Sequence, residues 1–181
     1  MKRALIVIDV QMEYFTGLMP VTYPVGSFEN ILAAMDGATA AGMPVIAVQH
    51  SAPKESPVFA KDSPGWQLHP EIARRKAVVI EKTLPGSFTG TELENMLRRD
   101  RIDTVVIAGY MTQMCCDTTS RQALHLGFGV EFLADATGTL AQKNYAGEVD
   151  AKTLHNAVLT VQASRFAKVM PASDWLSGIK K

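Results

Sequence analysis

The sequence predicts one α/β domain, a single doubly wound and mostly parallel six-stranded sheet with helices on both faces. Three observations predict it. Six short apolar, β-branched runs recur along the chain, each as long as a typical buried strand. The runs are continuous in hydrophobicity rather than alternating, as strands covered on both faces are. Stretches with helical spacing separate them, the order that builds a parallel sheet. With 181 residues, 47% of them hydrophobic and 20% charged, the chain can bury one full core, and a single domain over residues 1–181 is expected.

Taken in order, Ala4 to Val10 is the first strand. A helix over Ser27 to Ala41 follows: Ser27 is an N-cap candidate, Ile31, Leu32 and Met35 form the apolar face, and Gly42 with Pro44 stops it. Pro44 to Gln49 is the second strand. Ser51 to Pro70, with Pro53, Pro57, Pro64, Gly65 and Pro70, fits neither period. It reads as a loop longer than the ~15 residues beyond which loops are usually functional or disordered, and Phe59 and Trp66 favour function. Ala77 to Glu81 is the third strand. Thr91-Glu92-Leu93-Glu94 has capping-box spacing and opens a short helix towards Arg99. Thr104 to Ala108 is the fourth strand, and a helix from Met114 to Leu126 ends at Gly127. Val130 to Ala134 is the fifth strand, Glu148 to Arg165 a helix with Leu154, Ala157, Val158 and Val161 on one face, and Ala167 to Met170 the sixth strand. A last short helix follows Ser173.

Charge excludes some classes of function. Eighteen basic residues balance eighteen acidic ones, so there is no broad electrostatic footprint for nucleic acid or an anionic membrane. The expected partner is a small molecule or another copy of the chain. Met1-Lys2-Arg3 before the apolar run Ala4 to Ile8 has the look of an export signal, but Asp9 ends the run too early. No stretch approaches the ~20 apolar residues of a membrane span. A cytoplasmic protein is expected.

The two cysteines, Cys115 and Cys116, are neighbours. Adjacent Cα atoms lie about 3.8 Å apart, short of the roughly 4.4 to 6.8 Å that ordinary disulfides span. Two thiols without a spacer also lack the paired spacing of zinc sites. One reactive thiol, or two inert small residues, remain. In an open parallel sheet, ligands bind beyond the carboxyl ends of the strands, where the sequence places Asp9, His50, Lys82, Gly109 to Met114 and Asp135. A thiol becomes nucleophilic as its thiolate, which a helix N-terminus or a cation favours. Cys115 has both near it, in the helix beginning by Met114 and in Lys82, and Asp9 can accept and return a proton. Alone, each has a plainer reading: Asp9 as a turn residue, Lys82 as a solvated charge, either thiol as a small hydrophobe. Together at one sheet edge they are poorly explained as packing.

Leu5-Ile6-Val7-Ile8-Asp9-Val10-Gln11, then Glu81-Lys82 with Gly86-Ser87-Phe88 and Thr91-x-Leu93, then Gly109-x-x-Thr112-x-x-Cys115 with Thr119 and Arg121, resemble the isochorismatase-like cysteine hydrolases, among them nicotinamidase and N-carbamoylsarcosine amidohydrolase. The resemblance runs from about residue 3 to residue 172. It implies a doubly wound fold, assembly as a homodimer or homotetramer, and a triad of Asp9, Lys82 and Cys115 with Cys115 as nucleophile. It further implies a non-proline cis peptide between Tyr110 and Met111, with the N–H groups of Met111 and Cys115 as an oxyanion hole. Gln11 and Tyr110 would flank the substrate, and Phe15, Trp66 and Phe88 would form pocket walls. Within the predicted helix, Cys116, Ser120, Ala123 and Gly127 form one stripe of small residues suited to packing on the sheet. Cys115 is rotated about 100° from it, so Cys116 reads as packing and Cys115 as chemistry.

One departure bears on substrate. Nicotinamidases carry Asp-x-His and a further His after the second strand to hold a metal, whereas this chain reads Gln49-His50-Ser51-Ala52-Pro53. No metal and no cofactor are expected, His50 is a supporting residue, and His125 and His155 are read as exposed. The expected activity is hydrolysis of a small amide or ureido substrate through a thioester. The alternatives are isochorismatase-type vinyl-ether hydrolysis, with Asp9 as acid, and a non-catalytic thiol redox or binding protein on the same fold.

Overall fold

The computed structural model describes residues 1–179, and the last two positions of the expected domain lie outside the described residues. The strands are β1 (Arg3–Ile8), β2 (Val45–His50), β3 (Val78–Lys82), β4 (Thr104–Tyr110), β5 (Gly129–Gly138), β6 (Gln142–Asn144), β7 (Gly147–Val149) and β8 (Lys168–Met170). The α-helices are α1 (Ser27–Ala40), α2 (Pro70–Ala73), α3 (Leu93–Arg99), α4 (Asp117–His125), α5 (Ala151–Val161) and α6 (Ala172–Ile179). The main sheet has the order β3-β2-β1-β4-β5-β8, and every pair in it is parallel. The chain winds outward from β1 to β3, then crosses back to β4 on the other side of β1. That reversal opens a crevice beyond the ends of β1 and β4, where such sheets bind ligands.

The pleat of β1 divides the core. Leu5 and Val7 face the side that holds Ile31 and Met35 of α1 and Trp175 of α6. Ala4, Ile6 and Ile8 face the side that holds Leu93 and Leu97 of α3 and Ala123 of α4. All of these side chains are buried, each contributing roughly 1.5–3 kcal/mol for a full-sized apolar group. No helix among the described residues is long and apolar enough to cross a membrane.

The structure departs from the sequence-based boundaries at points with local causes. The first strand stops at Ile8 rather than Val10 because Asp9 takes φ 52° and turns the chain out of the ladder. The fifth continues to Gly138: after a register shift, Gly109 pairs with Thr137 and Tyr110 with Gly138. Gly109, at φ 116°, admits no side chain, since a Cβ there would lie 2.1 Å from the Ile8 carbonyl oxygen. Glu148 belongs to the antiparallel β6–β7 hairpin, not to a helix; α5 starts at Ala151 because Asp150 caps it, accepting from Thr153 N at 2.9 Å. The capping box does not form. Thr91 Oγ1 accepts from Leu93 N at 3.3 Å and donates to Ser87 O at 2.6 Å, while Glu94 pairs with Arg98 at 2.8 Å. Ser27 is the first residue inside α1 rather than its cap, and its hydroxyl meets Tyr110 Oη at 3.2 Å. The predicted helix at Met114 begins two residues earlier, as a π turn over Thr112–Cys116 that leads into α4.

Candidate active site

Three strand ends deliver the three expected side chains to one place. Asp9 leaves β1 in its left-handed conformation with its N–H bonded to Val48 O at 2.9 Å. Lys82 closes β3 in register with His50 of β2, and its carbonyl accepts from Ser51 N at 2.8 Å. Cys115 rides on the π turn after β4, where Met111 O accepts from Met114 N at 3.1 Å and from Cys116 N at 3.2 Å, the latter spanning five residues. Single π turns recur at functional sites. The Tyr110–Met111 peptide is cis, and the Met111 N–H has no hydrogen-bond acceptor among the described residues.

Lys82 Nζ is the hub. It lies 2.7 Å from Asp9 Oδ2, 3.3 Å from Cys115 Sγ and 3.3 Å from His50 Nδ1. Asp9 and Lys82 are each 1% exposed and Cys115 9%. The Asp9–Lys82 pair is close but poorly angled, and neither carboxylate oxygen accepts a well-directed hydrogen bond.

The electrostatics differ from the expectation that Lys82 and the helix terminus lower the thiol. Burial pushes the Cys115 thiol up, Asp9 adds to the rise, and Lys82 opposes it without prevailing. Burial likewise raises the Asp9 carboxyl above its ordinary range against the pull of Lys82. Burial works to lower Lys82, but Asp9 and then Cys115 outweigh it, and the ammonium is held above the ordinary lysine range. His50 is lowered by burial and then by Lys82, so it stands neutral with Nδ1 accepting from the ammonium. Enclosure thus favours the protonated thiol beside the Asp9 carboxyl and the Lys82 ammonium.

The Ser51 to Pro70 segment is folded onto its own chain. Ala52 bridges Ala60, and Leu68 bridges Gln11. Gln11, fully enclosed, braces it: Nε2 donates to His50 O at 2.8 Å and to Trp66 O at 2.7 Å, and Oε1 accepts from His50 N at 2.8 Å. Both donors of that amide are therefore occupied by backbone carbonyls. Trp66 is half-buried and donates from Nε1 to Ser51 Oγ at 2.6 Å. Phe59 packs edge-on to His50 at 5.5 Å and to Tyr14 at 5.1 Å. Tyr14 is 5% exposed; burial, then Asp9 and Cys115, push its hydroxyl up, which sets it beside the site. Sequence reasoning missed Tyr14 because it lies outside every periodic run; its signal is the distance of five residues from Asp9, one short turn beyond the strand.

The other expected wall residues take the following places. Strand alternation turns Tyr110 into the α1 side of the core, where with Phe15 it lines a cleft of about 260 Å³ that holds none of the triad. Phe15 packs between Phe28 at 4.9 Å and His69 at 4.5 Å. Phe88 stacks on Phe128 and lines a groove of about 520 Å³ along α4, again without a triad residue. The neighbouring motif residues tie elements together. Thr119 Oγ1 donates to Ser87 Oγ at 2.9 Å and accepts from Ser87 N at 3.1 Å, joining the loop after Lys82 to α4. Cys116, Ser120 and Ala123 are fully enclosed as the small-residue stripe requires, but Gly127 is exposed at φ 85° and ends the helix instead. His125 is exposed; His155, read as exposed, is 3% exposed because its ring turns inward to Thr112. The described residues hold no group of three or more His, Cys, Asp or Glu placed to share a metal ion, and His69 Nδ1 is taken by Glu71 N at 3.1 Å.

The Isochorismatase domain matches residues 3–173. The uncharacterized isochorismatase family protein YrdC of Bacillus subtilis (strain 168) is 32% identical over 183 residues, spanning 99% of this chain and 97% of its own. Nicotinamidase 3 of Arabidopsis thaliana is 28% identical over 180 residues, spanning 91% of this chain and 82% of its own. A crystal structure from Burkholderia xenovorans LB400 superposes with a TM-score of 0.97 at 46% identity, covering 98% of this chain and 87% of the other.

Proposed function

Because the chain belongs to the isochorismatase family of hydrolases, we propose that it hydrolyses a small amide or ureido compound through a thioester on Cys115. One observation carries the reading: a single enclosed ammonium, Lys82 Nζ, lies within 3.3 Å of both the Asp9 carboxylate and the Cys115 sulfur. The name of one relative, Nicotinamidase 3, supports an amide carbonyl as the target. The missing Asp-x-His after β2 speaks against nicotinamide itself.

The thiol holds its proton at rest, so attack and deprotonation occur together. Asp9 takes the proton as Sγ bonds to the carbonyl carbon, and Lys82 offsets the negative charge. The carbonyl oxygen, now an anion, receives the N–H groups of Met111 and Cys115. As the tetrahedral adduct collapses, the C–N bond breaks and Asp9 returns the proton to the departing ammonia or amine. Water, deprotonated by Asp9, then cleaves the thioester and regenerates the thiol. A general base used this way contributes about 10²–10⁴-fold.

Ammonia release from a panel of small amides and ureas tests the reading, with Cys115→Ala as control. Turnover on any member should vanish in Cys115→Ala and survive in Cys116→Val; full turnover by Cys115→Ala would refute it. The upward shift of Asp9 also suits an acid that protonates a vinyl ether. Intact-protein mass spectrometry under turnover separates the two, since only the amide route leaves an acyl group on Cys115.

A further inference from the structure

One buried titratable side chain lies beside the nucleophile turn without entering the thiol chemistry. His155 is the only residue of α5 that is buried, and its Nδ1 lies 2.9 Å from Thr112 Oγ1. Thr112 is fully enclosed and opens the π turn that carries Cys115. Its hydroxyl has no other partner among the described residues. With the proton on Nε2, Nδ1 can accept from the Thr112 hydroxyl. The Tyr23 ring closes the face at 5.3 Å. Tyr23 in turn exchanges backbone hydrogen bonds with Thr139, whose hydroxyl touches Met111 Sδ at 3.9 Å. The ring is thus keyed into the layer that holds Met111, the one residue between β4 and the nucleophile turn.

We propose that His155 is a positioning residue: by accepting the Thr112 hydroxyl it anchors the start of the π turn and so fixes where Cys115 Sγ and the Met111 N–H stand relative to Asp9 and Lys82. Its catalytic meaning rests on the reading of Cys115 as the nucleophile. A side chain that only filled space on α5 would not need an acceptor at this point, and α5 has no other enclosed polar anchor to the turn.

The test uses the full-length protein and reads the turn without a substrate. The rate at which iodoacetamide alkylates Cys115 is followed by peptide mass at neutral pH, with thermal unfolding measured alongside. Thr112→Val and His155→Phe should each change that rate about tenfold, the scale on which ångström misplacement of a reacting group is felt. The double variant should match the singles, because both remove the same bond. His155→Asn, whose side-chain oxygen can stand where Nδ1 stood, should return the rate to within about twofold of the parent even where its melting temperature stays low. The proposal is overturned if the Phe and Val variants melt earlier yet alkylate at the parent rate, if their effects multiply, or if Asn behaves like Phe. With an amide substrate in hand, the same variants should lower kcat and leave KM nearly unchanged. Retained hydrolysis by Cys115→Ala would sink the thioester reading alone, since the alkylation rates would still decide on His155.

Discussion

Replacing Lys82 by Met keeps the aliphatic stem and removes the one cation facing Asp9. The carboxylate, 1% exposed, then loses its main counter-charge, and burial, already the largest influence on it, is opposed only by Cys115 and His50. Asp9 escapes by taking up a proton. Holding a carboxyl neutral at pH 7 when its unfolded pKa is ~3.9 costs about 4 kcal/mol, and at pH 5 about 1.5 kcal/mol. The pH 7 figure falls within the roughly 3–5 kcal/mol seen when a buried pair loses one partner. The parent's own Asp9 is also raised, so parent and variant share the cost at low pH; the variant falls behind only above the pH at which the parent's Asp9 ionises, by about 1.4 kcal/mol per unit, and about 4 kcal/mol is the ceiling of the difference at pH 7. The melting temperature at pH 7 should drop by at most roughly 8–16 °C for a chain of this length. Urea unfolding of parent and Lys82→Met, followed by tryptophan fluorescence between pH 4.5 and 7.5, gives the difference curve. A difference that is flat with pH, or below about 1 kcal/mol at pH 7, would refute the view that Lys82 holds Asp9 ionised.

Four further outcomes follow from the same structure. Cys116→Ser should cost about 1–3 kcal/mol by enclosing an unpaired hydroxyl, against less than about 1.5 for Cys116→Val, with the thiol chemistry of Cys115 retained in both; denaturant midpoints and alkylation rates check this. His155 is lowered by burial, so the stability it confers is complete above ~pH 6.5 and is lost as pH falls below it; calorimetry should find a shallower decline between pH 7 and pH 5 in His155→Asn than in the parent. Gln11→Leu orphans His50 N and O, since Trp66 O keeps a bond from Gln49 Nε2 at 2.9 Å, and roughly 2–6 kcal/mol should be lost, with faster proteolysis in the Ser51 to Pro70 segment. Gly109→Ala drives a Cβ into the Ile8 carbonyl, and the soluble yield of folded protein should collapse.

The strands were legible because burial on both faces leaves an unbroken apolar run, which needs no knowledge of partners. The meeting of Asp9, Lys82 and Cys115 was legible for a related reason: parallel strands end at one rim, so Asp9 and Lys82, each closing such a run, had to meet the turn after β4. What failed depended on neighbours distant in sequence. The extension of β5 follows from a register shift against β4. Glu148 fell to a hairpin because Asp150 caps α5 two residues later. The direction in which the thiol moves is a contest between its enclosure and Lys82, and enclosure cannot be summed along a chain. His155 looked solvent-facing because its helix is otherwise half-exposed or open. Phe15, Phe88 and Tyr110 carry no local mark of the face to which their rings turn.

The Gln11 brace has a consequence for how this scaffold can diversify. One amide, with the bridges beside it, stitches the hem of the crossing segment to the floor of the crevice, so the backbone there behaves as masonry rather than as a curtain. Side chains of the segment that take no part in that stitching can be exchanged without redrawing the path, leaving the acid, the ammonium and the sulfur where they stand.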